Sequence, residues 1–595
     1  MQQTRQLLKS VFGYDSFRTG QQEIVEAVLA GEDVLAIMPT GGGKSLCYQL
    51  PALRRQGVTL VISPLIALMR DQVAYLKENG IAAGALTSNS SDQDRDEIFA
   101  ALREKRLKLL YMAPERLNSA QNFLSRTEIS MLAIDEAHCV SQWGHDFRPD
   151  YLKIGALRQA LGNPQITAFT ATADSETRKD IISKLFASPP REFLHGFDRP
   201  NLFLAFEPKN NARTQIARFV KRHEGEAGII YCSSRRKVED LATYLVGKGI
   251  NALPYHAGLD SEVRQVNQDR FSAEDGVVMT ATVAFGMGVD KPDVRFVAHA
   301  DLPATVEAYY QEIGRAGRDG LAANTLTLFG VDDIRLRRRQ IDDSDAPAER
   351  KRADHLRLNA LLAIAEAPEC RRQTLLTYFG ETTQPCGNCD LCKSPPDIID
   401  GTVPAQKALS AIARTGERFG LEHLIAILLG IETDRVLEQK HDGLPTFGVG
   451  KEFDKGQWRG IYRQIYAVGL AAVDPAFGGW KMTAEGWEVL RGNRQINLRR
   501  DALVPTRERG ERSRATDIEI DEADLPLLTA LKARRRELAT LAGVPAYVIF
   551  ADRSLIDMAA KRPRDLDAMN EIHGVGSKKL ESFGAEFLEI IAATG

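Results

Sequence analysis

Eight residues near the N-terminus, Met38-Pro39-Thr40-Gly41-Gly42-Gly43-Lys44-Ser45, lie between an apolar run (Val34 to Ile37) and a helix-like segment (Leu46 to Leu53). A strand that passes through a glycine turn into a helix start aims several backbone N–H groups and a positive dipole end at one concavity, which suits a nucleotide's phosphates. Thr40, Gly41, Gly42 and Gly43 are then the cradle, Lys44 is expected at the β- and γ-phosphates, and Ser45 is expected to ligate Mg²⁺. Met38 stands where the strict pattern has its first glycine, so the stretch is a variant phosphate loop.

A second piece makes the chemistry specific. Met131-Leu132-Ala133-Ile134 is a short apolar run ending in Asp135-Glu136-Ala137-His138, which brings two carboxylates to the tip of a buried strand. Asp135 is expected to hold Mg²⁺ and Glu136 to position or deprotonate an attacking water. Together the two pieces point to hydrolysis of a nucleoside triphosphate.

Elements that position such groups must repeat strand and helix. Apolar runs at Val34–Met38, Thr59–Ile62, Lys108–Met112, Met131–Ile134 and Gln165–Thr170 alternate with helical patterns, implying a parallel sheet covered on both faces. The pattern then restarts with Leu202–Phe206, Gly228–Cys232, Ala252–Tyr255, Val277–Thr280, Phe296–Ala300 and Thr325–Phe329, so two sheet units stand in series with a cleft between them. Gln311-Glu312-Ile313-Gly314-Arg315-Ala316-Gly317-Arg318 follows in the second unit, and Arg315 and Arg318 are expected to reach across the cleft to a γ-phosphate.

Composition sets the bounds. The chain has 595 residues, 44% hydrophobic and 26% charged, enough for about four domains. With 77 basic and 80 acidic residues no global field announces a polyanion partner, so any such contact is local. No apolar run approaches the roughly 18 residues of a membrane span, and the N-terminus lacks a signal-peptide pattern, so a cytoplasmic protein without membrane contact is expected. Cys47, Cys139 and Cys232 are scattered, whereas Cys370, Cys386, Cys389 and Cys392 cluster as C-x15-C-x2-C-x2-C, a spacing that favours metal over disulfide. Four thiolates suit a closed structural Zn²⁺ site, and an iron–sulfur cluster uses the same ligand set.

At this point the sequence resembles the RecQ family of superfamily 2 DNA helicases. The resemblance rests on Phe12-Gly13-Tyr14, Phe17-Arg18 and Gln21 ahead of the glycine-rich turn, on Asp135-Glu136-Ala137-His138, and on His138-Cys139-Val140-Ser141-Gln142-Trp143-Gly144-His145-Asp146-Phe147-Arg148. It implies that Tyr14, Arg18 and Gln21 recognise adenine, that Gln311 belongs to the ATP site, and that Trp143, His145, Phe147 and Arg148 contact DNA and couple its presence to hydrolysis. Base–aromatic stacking, about 1–3 kcal/mol per base, is indifferent to sequence and suits such a loop. The cysteine cluster is similar to the family's zinc module, which favours Zn²⁺ over iron–sulfur.

The implied architecture is α/β: two tandem RecA-like parallel-sheet domains (1–196 and 197–335), a helical zinc-binding subdomain (336–398), a winged helix (399–492), a basic linker (493–520) and a small helical HRDC-like bundle (521–595). Asp474 to Gly479 is expected to be a short hairpin tip, with Phe477 or Trp480 either wedging at a DNA fork or simply packing. Gly574-Val575-Gly576 beside Lys578 and Lys579 is expected to cradle phosphates. The implied function is ATP-dependent unwinding of DNA in recombination and repair, with 3′ to 5′ travel. Implied partners are single-stranded and forked or tailed duplex DNA and a single-stranded DNA-binding protein, with the chain a nucleoid-associated monomer. An RNA motor and a DNA-binding scaffold whose ATP site only gates affinity stay open as alternatives.

Overall fold

The computed structural model describes residues 2–594 apart from 40, 88–89, 142–146, 172, 174, 195, 286–290, 475–477 and 501–521. The first unit contains β1 (Val34–Ile37), β2 (Val58–Ile62), β3 (Ala83–Leu86), β4 (Leu109–Met112), β5 (Ile129–Ile134), β6 (Gln165–Thr170) and β7 (Arg191–Leu194). They form a parallel seven-stranded sheet in the order β3-β4-β2-β5-β6-β1-β7. β1, β2 and β4 are buried along their whole length. Successive side chains feed opposite faces, Val34 and Ala36 entering one core and Leu35 the other, as a sheet covered on both sides requires.

Two strands of this sheet were not expected. β3 reads Ala-Gly-Ala-Leu and β7 reads Arg-Glu-Phe-Leu, and both lie at edges. Neither has the β-branched run that marks a central strand. β7 in particular exposes its charges, a common way to blunt an edge.

All the expected runs of the second unit are strands, with ends displaced by a residue or two. They are β8 (Leu202–Pro208), β9 (Ala227–Tyr231), β10 (Ala252–Tyr255), β11 (Val278–Ala281), β12 (Val294–His299) and β13 (Ala323–Phe329). The sheet is parallel and six-stranded, in the order β10-β11-β9-β12-β13-β8. Its core is continuous with the region that follows: Leu204 and Phe206 share one apolar cluster with Leu358, Cys370, Trp458 and Trp480.

In that following region β14 (Asp397–Asp400) and the hairpin of β15 (Ala471–Val473) with β16 (Trp480–Met482) are joined by β17 (Asn497–Arg500), which pairs antiparallel with β14. The expected basic linker therefore begins with a strand, and Arg499 is not solvated. It is buried against Glu366 at 3.1 Å, and Arg463 meets the same carboxylate at 2.6 Å. Composition alone could not separate an arginine that tethers from one that satisfies a buried acid. Trp480 packs in the core against Tyr462 and Tyr466, so of its two expected roles the structure has the packing one. Phe477 lies outside the described residues.

The C-terminal bundle has its own core and is seated on both sheet units. On the first, Gly574 N–H donates to Gly13 O (2.9 Å), Ser577 Oγ donates to Ser10 O (2.7 Å), and the Tyr14 ring faces His573. On the second, Arg536 pairs with Asp275 at 2.8 Å and Arg553 donates to Asp319 O at 3.4 Å. The Gly-Val-Gly turn expected to hold phosphates is thus packed against Ser10 to Gly13. Lys579 is only 4% exposed, over the Tyr75 ring, where burial lowers its ammonium to about 8.

The Glu366 side chain is 3% exposed and holds two guanidiniums. Glu366→Ala leaves both buried without their acid, and is expected to cost about 3–5 kcal/mol. Urea unfolding of wild type and variant reads that loss directly, and a cost below about 1 kcal/mol would show the network to be solvated.

Candidate active site and thiol cluster

Parallel order places the C-terminal ends of β2, β5, β6 and β1 side by side, where open α/β sheets bind ligands. Ser63 follows β2, Asp135 follows β5, Thr170 ends β6, and the glycine-rich turn follows β1. Gly41 (φ 79°) and Gly43 (φ 76°) sit in the left-handed region that a side chain disfavours. Lys44 and Ser45 are half-buried at the start of the helix Leu46–Arg54. Thr40 lies outside the described residues.

Residues from the N-terminal segment buttress this turn. Gln21 Nε2 donates to Gly42 O and Gly43 O, each at 3.1 Å, while its Oε1 accepts from Arg18 N–H at 2.8 Å. Arg18 Nη1 donates to Gly41 O. The amide expected at a base edge is here engaged with the turn itself. Tyr14 is half-buried beside His573, with ring centroids 5.6 Å apart.

The second unit brings cations to the same glycine. A Cβ at Gly41 would stand 2.9 Å from Arg199 Nη1 and 3.5 Å from Arg318 Cγ. Of the two expected arginines, Arg318 therefore approaches the turn. Arg315 is buried, and its charge acts on Tyr231, at the C-terminal end of β9. Gln311 is half-buried on the helix Val306–Ile313 that leads into the arginine turn. Arg199 was not singled out from the sequence, because it lies between the sheets in Phe197-Asp198-Arg199-Pro200-Asn201, where no periodicity marks it. Burial lowers its guanidinium to about 10, and the charges of Arg318 and Arg18 add to the effect.

The carboxylates face this positive surface. Asp135 is buried, accepts from Ser63 Oγ at 3.3 Å and from Glu136 N–H at 3.0 Å, and its carbonyl accepts from Tyr151 OH at 2.9 Å. Burial and then the Glu136 charge push Asp135 up to about 7, while the Lys44 ammonium pulls it down. Glu136 takes a left-handed backbone (φ 48°) that is rare for a non-glycine residue, the kind of strain held where geometry matters. Its Oε2 lies 3.3 Å from His138 Nδ1, which also meets Thr170 Oγ1 at 2.9 Å. A chain of contacts thus joins the ends of β5 and β6. Ser63, Tyr151 and Thr170 support Asp135 and His138 from neighbouring elements, and sequence spacing gave no sign of these pairings.

Trp143 and His145 lie outside the described residues. The anchors of their loop are described: Ser141 Oγ donates to Asp180 Oδ2 at 2.7 Å, and Arg148 Nη1 donates to Pro64 O at 3.1 Å, just beyond Ser63. Phe147 is half-buried between these anchors. The loop thus leaves the carboxylate strand and is tied at its far end to the neighbouring strand's tip.

The four clustered cysteines converge: the sulfurs of Cys370, Cys386, Cys389 and Cys392 lie within 4.8 Å of one another, Cys386 and Cys392 at 3.9 Å. Tetrahedral Zn²⁺ with bonds of about 2.3 Å separates its sulfurs by about 3.8 Å, so the set fits that ion. Backbone N–H groups of Gln373, Cys386, Asn388 and Cys392 donate to the sulfurs at 3.3–3.4 Å. The hydrogen bond from Cys386 pulls the Cys389 thiol below its ordinary range, toward the thiolate form that a metal ion takes. The cluster leans on β8: Asp390 Oδ2 accepts from Phe206 N–H at 3.1 Å and Asn388 Nδ2 donates to Pro200 O at 2.8 Å.

Comparison with known proteins adds independent findings. Family models match as DEAD/DEAH box helicase (18–181), helicase conserved C-terminal domain (211–320), RecQ zinc-binding (331–393), RQC domain (395–507) and HRDC domain (524–591). The ATP-dependent DNA helicase RecQ of Haemophilus influenzae is 41% identical over 596 residues, 98% of this chain and 95% of that one. The protein of the same name from Bacillus subtilis is 38% identical over 599 residues, covering 100% and 99%.

Purified protein is expected to carry about one zinc per chain, the stoichiometry of a four-thiolate structural site. Cys389→Ser should lose most of that zinc by elemental analysis and lower the thermal midpoint, because the metal's binding energy is folding energy. Visible charge-transfer absorbance in the wild type would instead assign the cluster to iron–sulfur.

Proposed function

The chain belongs to the RecQ family of ATP-dependent DNA helicases, and from that premise we propose how its own residues drive the motor. The glycine-rich turn with Lys44 and Ser45 takes the triphosphate of ATP on the first unit. Arg318, with Arg315 behind it, presents charge from the second unit to the γ-phosphate as it leaves. Glu136 orients the attacking water. The observation that carries this reading is the approach of Arg318 to Gly41, which joins the two units at one glycine.

Ser45 and Asp135 offer hard oxygen ligands, and the burial and repulsion that raise Asp135 are relieved by a divalent cation. Bound there, Mg²⁺ would neutralise charge on the β- and γ-phosphates. Arg18, Gln21 and Tyr14 are assigned to the adenine side; Gln21 then exchanges its hold on Gly42 and Gly43 for the base edge. Gln311 is assigned to the cleft face of the second unit.

ATP draws the two units together and hydrolysis lets them part, so a strand lying across both is pulled. Trp143, His145, Phe147 and Arg148 are assigned to that strand, and the tie between Arg148 and Pro64 supports a mechanical link from DNA to the tips of β2 and β5. The domain division proposed is the one expected from sequence, with residues 497–500 moved from the linker to the preceding domain. Forked or tailed duplexes are the proposed substrates, 3′ to 5′ the direction, and recombination and repair the setting. A single-stranded DNA-binding protein as partner, a monomeric state and nucleoid association complete the proposal.

The deciding experiment is strand displacement on tailed duplexes of both polarities. Lys44→Ala should abolish ATP-driven unwinding while DNA affinity stays within about threefold, since only phosphate contacts are removed. Retained unwinding would refute the motor. Trp143→Ala should bind ATP normally and lose most DNA-stimulated hydrolysis, by about tenfold or more if the loop couples the two sites; undiminished stimulation would remove the loop from the mechanism.

A further inference from the structure

Arg199 occupies a position that the reading above leaves unused. Its segment is pinned to the second unit and to the zinc region. Phe197 stacks on Phe379 at 4.3 Å, Tyr310 OH donates to Phe197 O at 3.0 Å, and Asp198 pairs with Arg372 at 2.9 Å. From this fixed base the guanidinium donates to three carbonyls of the turn that carries the cleft arginines: Gly314 O at 3.3 Å, Ala316 O at 2.9 Å and Gly317 O at 2.9 Å. Its Nη1 also faces Gly41 of the first unit, close enough that a side chain at 41 would collide with it. One planar group therefore fills the space between the glycine-rich turn and the arginine turn and touches both.

We propose that Arg199 is a positioning residue for ATP hydrolysis, a spacer that fixes the turn bearing Arg315 and Arg318 at its working distance from the glycine-rich turn. The proposal rests on the ATPase reading and deepens it. A guanidinium suits the task, because its fork satisfies several carbonyls in one plane, whereas an ammonium is a point donor. Phosphoryl transfer depends on the placement of charge, and a displacement of about 1 Å costs roughly a hundredfold in rate. Because the segment joins the two sheets, its hold on the arginine turn moves with the closure of the cleft.

The test compares Arg199→Ala, Arg199→Lys and Asn201→Ala in the full chain, with wild-type DNA-stimulated ATP hydrolysis measured alongside so that failure of the ATPase reading itself is seen separately. Asn201 is the comparison: it bonds the same turn, at Gly317 O (2.9 Å) and Leu321 O (2.8 Å), and accepts at 3.4 Å from Arg199 Nε, but it carries no charge and does not reach Gly41. Arg199→Ala and Arg199→Lys are expected to lower kcat about tenfold to a hundredfold, with affinity for a fluorescent ATP analogue within about threefold. Asn201→Ala should hold kcat within about threefold, and added guanidinium should restore part of the rate to Arg199→Ala but none to Arg199→Lys. Thermal midpoint and zinc content report folding; if Arg199→Ala fails there, Arg199→Lys carries the test alone. A kcat for Arg199→Lys within about twofold of wild type, or a fall in nucleotide affinity that accounts for the whole loss, overturns the proposal.

Discussion

Like charges crowd one glycine. Arg18 donates to its carbonyl, Arg199 and Arg318 press on its open side, and Lys44 follows three residues later. Like charges gathered in a partly buried site repel, and carbonyls of the turns accept from Arg18 and Arg199 and hold them there. Burial is the main reason the Arg199 guanidinium is depressed and the Asp135 carboxyl raised, with Arg318 and Arg18 adding to the first and Glu136 to the second. On the proposed reading, a triphosphate with a divalent cation would relieve both, bringing anionic oxygens to the arginines and a cation to the carboxylates. Under that proposal, cleft closure around ATP would draw on electrostatics already present in the protein.

Much of this was legible in the sequence, and for one reason. Strands covered on both faces must be apolar throughout, so every central strand of both sheets announced itself, as did the polar residues at their tips: Lys44 and Ser45 after β1, and Asp135 and Glu136 after β5. The edge strands β3 and β7 did not, because an edge needs no such run. Arg199 was hidden differently. Its role lies in bonds to residues more than a hundred positions away, and a lone arginine before a proline carries no local signature. Gln21 was found but its present partners were not, since an amide serves a base edge and a backbone carbonyl equally well.

The thiol cluster has a mechanical consequence beyond its own stability. Asn388 holds Pro200, Arg372 holds Asp198 and the carbonyl of Leu202, and Asp390 holds Phe206 and Arg371. The segment between the two sheets is therefore clasped from one side by the zinc region. These contacts fix the segment that carries Arg199 to the zinc region. The shared apolar core from β8 through Trp458 and Trp480 extends the same rigid body to the winged helix, so duplex held there would move with the second unit.

The C-terminal bundle acts against that movement. It touches the first unit through Ser10, Gly13 and Tyr14 and the second through Asp275 and Asp319, so the cleft cannot change its opening without shearing one of these contacts. The two attachments differ in kind. On the first unit the backbones of Gly13 and Gly574 approach so closely that a Cβ at Gly13 would lie 2.6 Å from Gly574 C, and Lys579 is desolvated against Tyr75. On the second, the exposed Arg536 meets Asp275, a pair of a type that contributes about 0–1 kcal/mol, while the buried Arg535 lies 3.6 Å from the same carboxylate. The bundle therefore bridges the cleft through packed backbone on one side and charge pairs at Asp275 on the other.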